Sequence, residues 1–205
     1  MYTRGFIFFL CSLAILLSAM KSDTLNFQIE PGSKLQIKGT SNVTDFTCLC
    51  LESFPKTKVQ VVATEDAAKA TFSNTVLQIR TKKLDCGNKP MNNDMYSTLK
   101  ADDHPHIQIE LIETRHSSGK LLRKAEEWQS IEAIAHFSIA GVTRKESLSV
   151  HAKKITDSSY RFKSSKTILF TDYGIKPPRA LMGLIKVDNE ISLELDLMIS
   201  VEAPL

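Results

Sequence analysis

No catalytic signature is written into this chain of 205 residues. It has no GxSxG elbow, no HExxH pair, no Gly-rich phosphate loop and no CxxC motif. The common serine hydrolase, zinc protease, nucleotide-binding and thiol-redox classes therefore have nothing to anchor them. Charge of one sign is not in excess either. The 26 Lys and Arg against 23 Asp and Glu leave +3, and the two signs are interspersed. Such a surface is not built for nucleic acid. Internal repeats and low-complexity runs are absent. Only one long apolar run occurs, at the N-terminus, and the rest of the chain is expected to be soluble. The single tryptophan, Trp128, begins a strand-like segment and is read as a packing residue at a strand end rather than a ligand contact.

The titratable residues are scattered. His104 and His106 flank Pro105 behind Asp102 and Asp103, and on a strand residues two apart share a face. A metal site there competes with a solvated helix-to-strand junction, and the junction is the simpler reading. His136, His151 and His116 read as surface residues. Asp85, Asp94, Asp102 and Asp103 are explained by helix starts and turns. No catalytic residue and no metal ligand is assigned.

What is present begins with MYTRGFIFFLCSLAILLSAMKSD. One basic residue, Arg4, precedes an apolar run from Phe6 to about Ala19, and the first acid is Asp23. This is the pattern of a secretory signal peptide over residues 1–19, cleaved near Ala19, with an uncleaved anchor as the alternative. Residues 20–205 then form one domain, long enough to bury a core. Export leaves Cys48, Cys50 and Cys86 in an oxidising compartment, which allows one bridge and one leftover thiol. Cys48 and Cys50 share a strand face, so either could meet Cys86.

The dominant hydrophobic period is two. In EISLELDLMISVE, residues Ile191, Leu193, Leu195, Leu197, Ile199 and Val201 share one face. SKLQIKGT does the same with Leu35 and Ile37, TVLQIRT with Leu77 and Ile79, and HIQIELIE with Ile107, Ile109 and Leu111. SIEAIAHFSIAG groups Ile131, Ala133, Ala135, Phe137 and Ile139. LNFQIE, VTDFTCLC, KVQVVA, KESLSVHAKK and YRFKSSKTILF also read as strands. Turn signals at EPGS (30–33), SSGK (117–120), AGVT (140–143) and VDNE (187–190) join neighbours, which favours a meander. The expected fold is all-β: a single antiparallel up-and-down barrel of about eight strands. One short helix is expected near 90–102, started at Pro90 and stopped by Pro105. The segment TDYGIKPPRALMGLIKVDNE (171–190) is apolar in its middle yet carries two prolines and two glycines. It either plugs an apolar interior or lines the way into one. Small inward residues, Gly39, Ala133 and Ala135, either leave room in the lumen or make space for Phe46 or Phe137.

Four stretches in order, SKLQIKGTSNVTDFTC, DCGNKPMNNDMYSTLKADDHPHIQIEL, FSIAGVTRKESLSV and TDYGIKPPRALMGLIKVDNEISLELDL, resemble the YceI-like family in its secreted, Bacteroidetes-type form. The likeness spans most of residues 33–199. It implies a lipocalin-like barrel closed at one end, with a long apolar lumen. It also implies a periplasmic or secreted, non-enzymatic protein that binds a polyisoprenoid or isoprenoid quinone, needs no cofactor, and in some members dimerises. It pairs the FTC and DCGN cysteines, Cys48 with Cys86. On this reading the lumen is lined by Leu77, Ile79, Ile107, Ile109, Leu111, Phe137, Ile139, Leu181, Met182, Leu195 and Leu197, with a head group at the mouth near Tyr173 or Arg179. The partners expected are an isoprenoid lipid, a second copy in a homodimer and transiently a membrane, but no nucleic acid. The competing expectation is a barrel packed solid, acting as a structural or protein-interaction module.

Overall fold

The computed structural model describes residues 21–63, 68–116 and 127–202. The expected signal segment 1–19 and the SSGK turn lie outside the described residues. The chain runs β1 (Lys21–Ile29), β2 (Lys34–Ser41), β3 (Asp45–Cys50), β4 (Thr57–Ala63), β5 (Lys69–Ser73), β6 (Val76–Arg80), β7 (Leu84–Asp85), α1 (Lys89–Thr98), β8 (His106–Arg115), β9 (Trp128–Ile139), β10 (Val142–Lys154), β11 (Ser159–Leu169), β12 (Arg179–Ala180) and β13 (Ile185–Glu202).

Every strand pairing is antiparallel, and the sheet closes on itself through β1 and β13. β13, 18 residues long, pairs with β2 along its first part and with β1 along its last. β1 and β2 are thus one barrel stave, bent at the Pro31–Gly32 turn. β3 and β4 form a second stave, and β5 and β6 together run along β8 as a third. With β8, β9, β10, β11 and β13 these make eight staves in chain order, an up-and-down, lipocalin-like barrel. The alternating apolar residues face its interior because residues two apart on a strand share a side.

One end, here the lower, is capped. α1 starts at Asn88, whose side-chain oxygen accepts from the Met91 N–H at 2.9 Å, with Pro90 in the first turn. It stops at Leu99, well before Pro105, because Lys100 turns left-handed (φ 51°). Its inner side brings Met95 and Leu99 into the bore, and the Tyr96 hydroxyl is held by the carbonyls of Lys82 and Leu84 at 3.1 and 2.9 Å. The Cys48–Cys86 disulfide ties β3 to the approach of this helix, and Cys50 remains a free, half-buried thiol whose pKa burial raises. A 3-10 turn at Phe170–Tyr173 adds Phe170 and Tyr173 to the same plug.

Two turn motifs take different courses. AGVT makes the β9–β10 hairpin with both central residues left-handed, Ala140 at φ 48° and Gly141 at 86°. A Cβ on Gly141 would lie 2.6 Å from the His104 ring, so this glycine also makes room for that histidine. VDNE is not a turn. It lies inside β13 as a bulge, where the register with β2 shifts between Val187 and Ile191. Asn189 explains why: its side chain accepts from the Thr171 N–H at 3.1 Å and donates to the Thr171 hydroxyl at 2.9 Å, tying the bulge to the plug. β5 was not expected from the sequence; its five residues show little alternation.

Candidate functional site

The barrel interior is two environments stacked along one axis. In the lower half Ile79, Ile107, Ile109, Phe137, Ile139, Ile191 and Leu193 are buried and packed against α1 and the plug. The cavity left among Ile37, Met95, Ile107, Ile139, Phe170, Tyr173 and their neighbours is about 30 Å³, room for about one water. Gly39 contributes no free space. It sits opposite Phe46, and an added Cβ would be 2.4 Å from that ring.

Higher up, the inward positions stay apolar but are no longer closed. Register places Phe27 opposite Val201, Leu25 opposite Val59, Val61 opposite Phe72, and Phe162 opposite Leu197, all on the inner face. Leu25, Phe27, Val61, Phe72, Phe162, Leu197, Ile199 and Val201 are only half-buried. Among the described residues no helix covers this end.

Among the described residues the wall is unpaired at two places. Between β3 and β4 the chain at 51–56 makes no strand pairing with β6, although β4 pairs β5 above and β3 pairs β7 below. A cavity of about 470 Å³ occupies this seam. Its lining mixes inner-face residues, Phe27, Ile29, Thr57 and Leu77, with outer-face residues, Val76, Gln78, Arg80 and His106, and is completed by Glu52, Ser53, Phe54 and Pro55. Glu52 bridges the seam. Its carboxylate accepts from the Arg80 backbone N–H (3.1 Å), Nε (2.9 Å) and Nη2 (2.7 Å). Those hydrogen bonds hold the Glu52 pKa down at about 2.

The second unpaired place is the lower part of β10 against β11, whose pairing begins only at Val150 and Ser164. Side chains close it: Lys166 Nζ donates to the Ser147 carbonyl at 3.1 Å and pairs with Glu146 at 2.8 Å. The buried Tyr173 hydroxyl lies 3.4 Å from the same carboxylate. Burial, then the Glu146 charge, raises the tyrosine pKa well above its ordinary value.

The residues expected to line a lumen therefore separate. Ile79, Ile107, Ile109, Phe137 and Ile139 are close-packed core rather than the wall of a space. Leu77, Leu111, Leu195 and Leu197 face inward and are half-buried. Leu181 and Met182 are outside the barrel altogether, on the tip of a hairpin between β12 and β13. The two prolines carry the chain out of the wall before it returns as β13. Tyr173 lies buried in the plug, and Arg179 lies exposed at the base of that hairpin, so neither stands at the open end. His104 covers Gly141 and His106 faces outward opposite Arg80. Trp128 is partly exposed on the outer rim, with Lys153 and Lys163 Nζ 5.3 and 5.6 Å from its ring centre. Sequence reading missed Phe54, which has no periodic signal, and made no use of Phe27, which LNFQIE does place on an alternating face.

The sequence matches the family described as "YceI-like domain" over residues 23–199, so the chain belongs to the YceI-like family. Among curated proteins no sequence matches it. Its fold is similar to that of a polyisoprenoid binding domain from Saccharophagus degradans implicated in plant cell wall breakdown. That similarity has a TM-score of 0.61 at 10% identity, covering 88% of this chain and 98% of that one. It is also similar to Burkholderia cenocepacia BcnA, with a TM-score of 0.59 at 14% identity, covering 81% and 95%.

Proposed function

We propose that this protein is a periplasmic or secreted carrier of a long apolar isoprenoid lipid, a polyisoprenoid or an isoprenoid quinone. One observation carries the reading. The upper inner wall is apolar, yet its large side chains stay only half-buried instead of closing on one another. Each Å² of apolar surface left in water forgoes about 25 cal/mol, and an apolar ligand recovers it. The Saccharophagus degradans domain of the same fold is named for polyisoprenoid binding, which supports this ligand class here. The lipid chain lies against the wall from Leu195 to Val201, roughly 20 Å of strand. The packed lower half sets how deep it reaches. The seam cavity, apolar on its inner side and polar at Gln78, Arg80 and His106, takes the head group. Affinity comes from area burial, about 0.8 kcal/mol per CH2 before ordering costs. Holding a chain in this way requires no reacting group, so the protein works by binding rather than by catalysis.

Native mass spectrometry of protein exported to a bacterial periplasm, followed by organic extraction, tests this. A bound mass that extracts as a prenyl lipid is the expected result, and the same spectrum reports whether the protein dimerises. Leu197→Asp should remove the adduct while leaving the fold intact. The tight lower core favours the second reading, a packed interaction module. A clean apo mass that stays apo after incubation with quinones would give that reading the case.

A further inference from the structure

The hairpin between β12 and β13 is built against ordinary surface rules. Arg179 and Ala180 pair with Lys186 and Ile185, and the tip between them is Leu181-Met182-Gly183-Leu184. Met182 is fully exposed, Leu184 is 74% exposed and Leu181 is 67% exposed. Val43, 61% exposed, belongs to the neighbouring β2–β3 turn. Asn42 fastens that turn to the hairpin: it donates to the Leu184 carbonyl at 3.0 Å and accepts from the Lys186 N–H at 2.7 Å. Single exposed apolar residues are common, but four grouped at one projection are not. The tip also holds Leu181 (φ 49°) and Met182 (φ 54°) in the left-handed region, which side-chain-bearing residues avoid and which Asn, Asp or Gly would occupy more easily.

Cations outnumber acids beside this tip. Lys176, Arg179 and Lys186 flank it, and none of the three makes an ion pair among the described residues. The nearest acids are Asp45 beside Val43, Asp188, which accepts from the Thr40 hydroxyl, and Asp172, which Arg144 approaches. An apolar point inside a basic collar matches the cross-section of an anionic bilayer surface. The side chains enter the acyl boundary and the cations stay at the phosphates. A soluble protein partner would account for the apolar point but gives no reason for three unpaired cations around it.

We propose that the 179–186 hairpin, with Val43 beside it, is a membrane-docking finger that inserts into an anionic lipid surface. This holds whether or not the barrel carries a lipid. The finger leaves from the capped end, so docking does not cover the half-buried upper wall.

Vesicle co-sedimentation of the purified protein tests it, using phosphatidylcholine alone and phosphatidylcholine mixed with phosphatidylglycerol. The native protein should bind the anionic vesicles about tenfold better than the neutral ones, and less at high salt. Met182→Asp combined with Leu184→Asp should lower binding to the anionic vesicles about tenfold with the thermal midpoint unchanged, since these side chains are exposed. Arg179→Glu combined with Lys186→Glu should abolish the preference for anionic over neutral vesicles. Equal sedimentation of native protein and both double variants would overturn the proposal. So would native protein that ignores both vesicles while forming a concentration-dependent dimer that the aspartate pair abolishes, which would assign the finger to a second copy of this chain.

Discussion

Ile191 and Leu193, near the start of β13, are 3% and 5% exposed. Leu195, Leu197, Ile199 and Val201 continue the same alternating face on the same strand and are only half-buried. Nothing in the local pattern separates the two groups. The difference comes from what fills the bore beside them. Low in the barrel, segments that are not wall strands supply Met95, Leu99, Phe170, Tyr173 and Ile175; the Cys48–Cys86 bridge fixes the entry of the helix and Asn189 holds the 170–173 turn. High in the barrel no such segment arrives among the described residues. An eight-stranded barrel is just wide enough for side chains to fill it or for one ligand to occupy it. This chain does the first at one end and leaves the second open at the other.

The largest test of that contrast is a pair of truncations. Phe137→Ala, deep in the packed half, should cost roughly 3–5 kcal/mol of stability in urea unfolding. Phe162→Ala, only half-buried on the upper wall, should cost roughly 1 kcal/mol. Similar losses at the two positions would erase the distinction between the halves.

A smaller effect is expected from the disulfide, which spans a sequence separation of 38. Cys48→Ser with Cys86→Ser should destabilise by roughly 2–4 kcal/mol. Amide hydrogen exchange should show protection lost first in β3, β7 and α1, while β11 and the end of β13 hold. Uniform loss around the barrel would mean that the capped end is not the bridge's particular charge.

The smallest concerns the seam. Glu52 is depressed in the folded state from the ordinary 4.5 to about 2. Its contribution is therefore present above pH 4.5 and fades as pH falls towards 2. Arg80 remains largely in water, so solvent screening keeps the pair's contribution small. Glu52→Gln should lower the urea midpoint slightly at neutral pH and converge with the native protein near pH 2. Parallel pH profiles for the two proteins would remove Glu52 as the seam's latch.

Much of this was legible beforehand. Period-two alternation assigned inner faces to β2, β6, β8, β9 and β13, and the short connections between them gave the meander. The helix was visible from Pro90 and its apolar spacing, though not its early stop at a left-handed Lys100. VDNE looked like a turn because Asp, Asn and Glu cluster there, and only contact with Thr171 makes it a bulge. Apolar character and the family resemblance put Leu181 and Met182 at the lumen or its mouth. Their position is set instead by the β12–β13 pairing, which composition does not encode. Phe137 was assigned the correct face and the wrong surroundings, because alternation gives a direction and says nothing of height along the barrel axis.

The sequence by itself determined the all-β class, the antiparallel meander and the inward face of the alternating strands, since those follow from side-chain alternation and local turn chemistry. The tertiary structure decided which inward residues became core, which stayed half-open and which apolar residues left the barrel. Those outcomes depend on whether a segment distant in the chain arrives to fill the space, and on where a bulge or a hairpin turns the backbone. Such encounters are settled between elements, after each has already formed its own pattern.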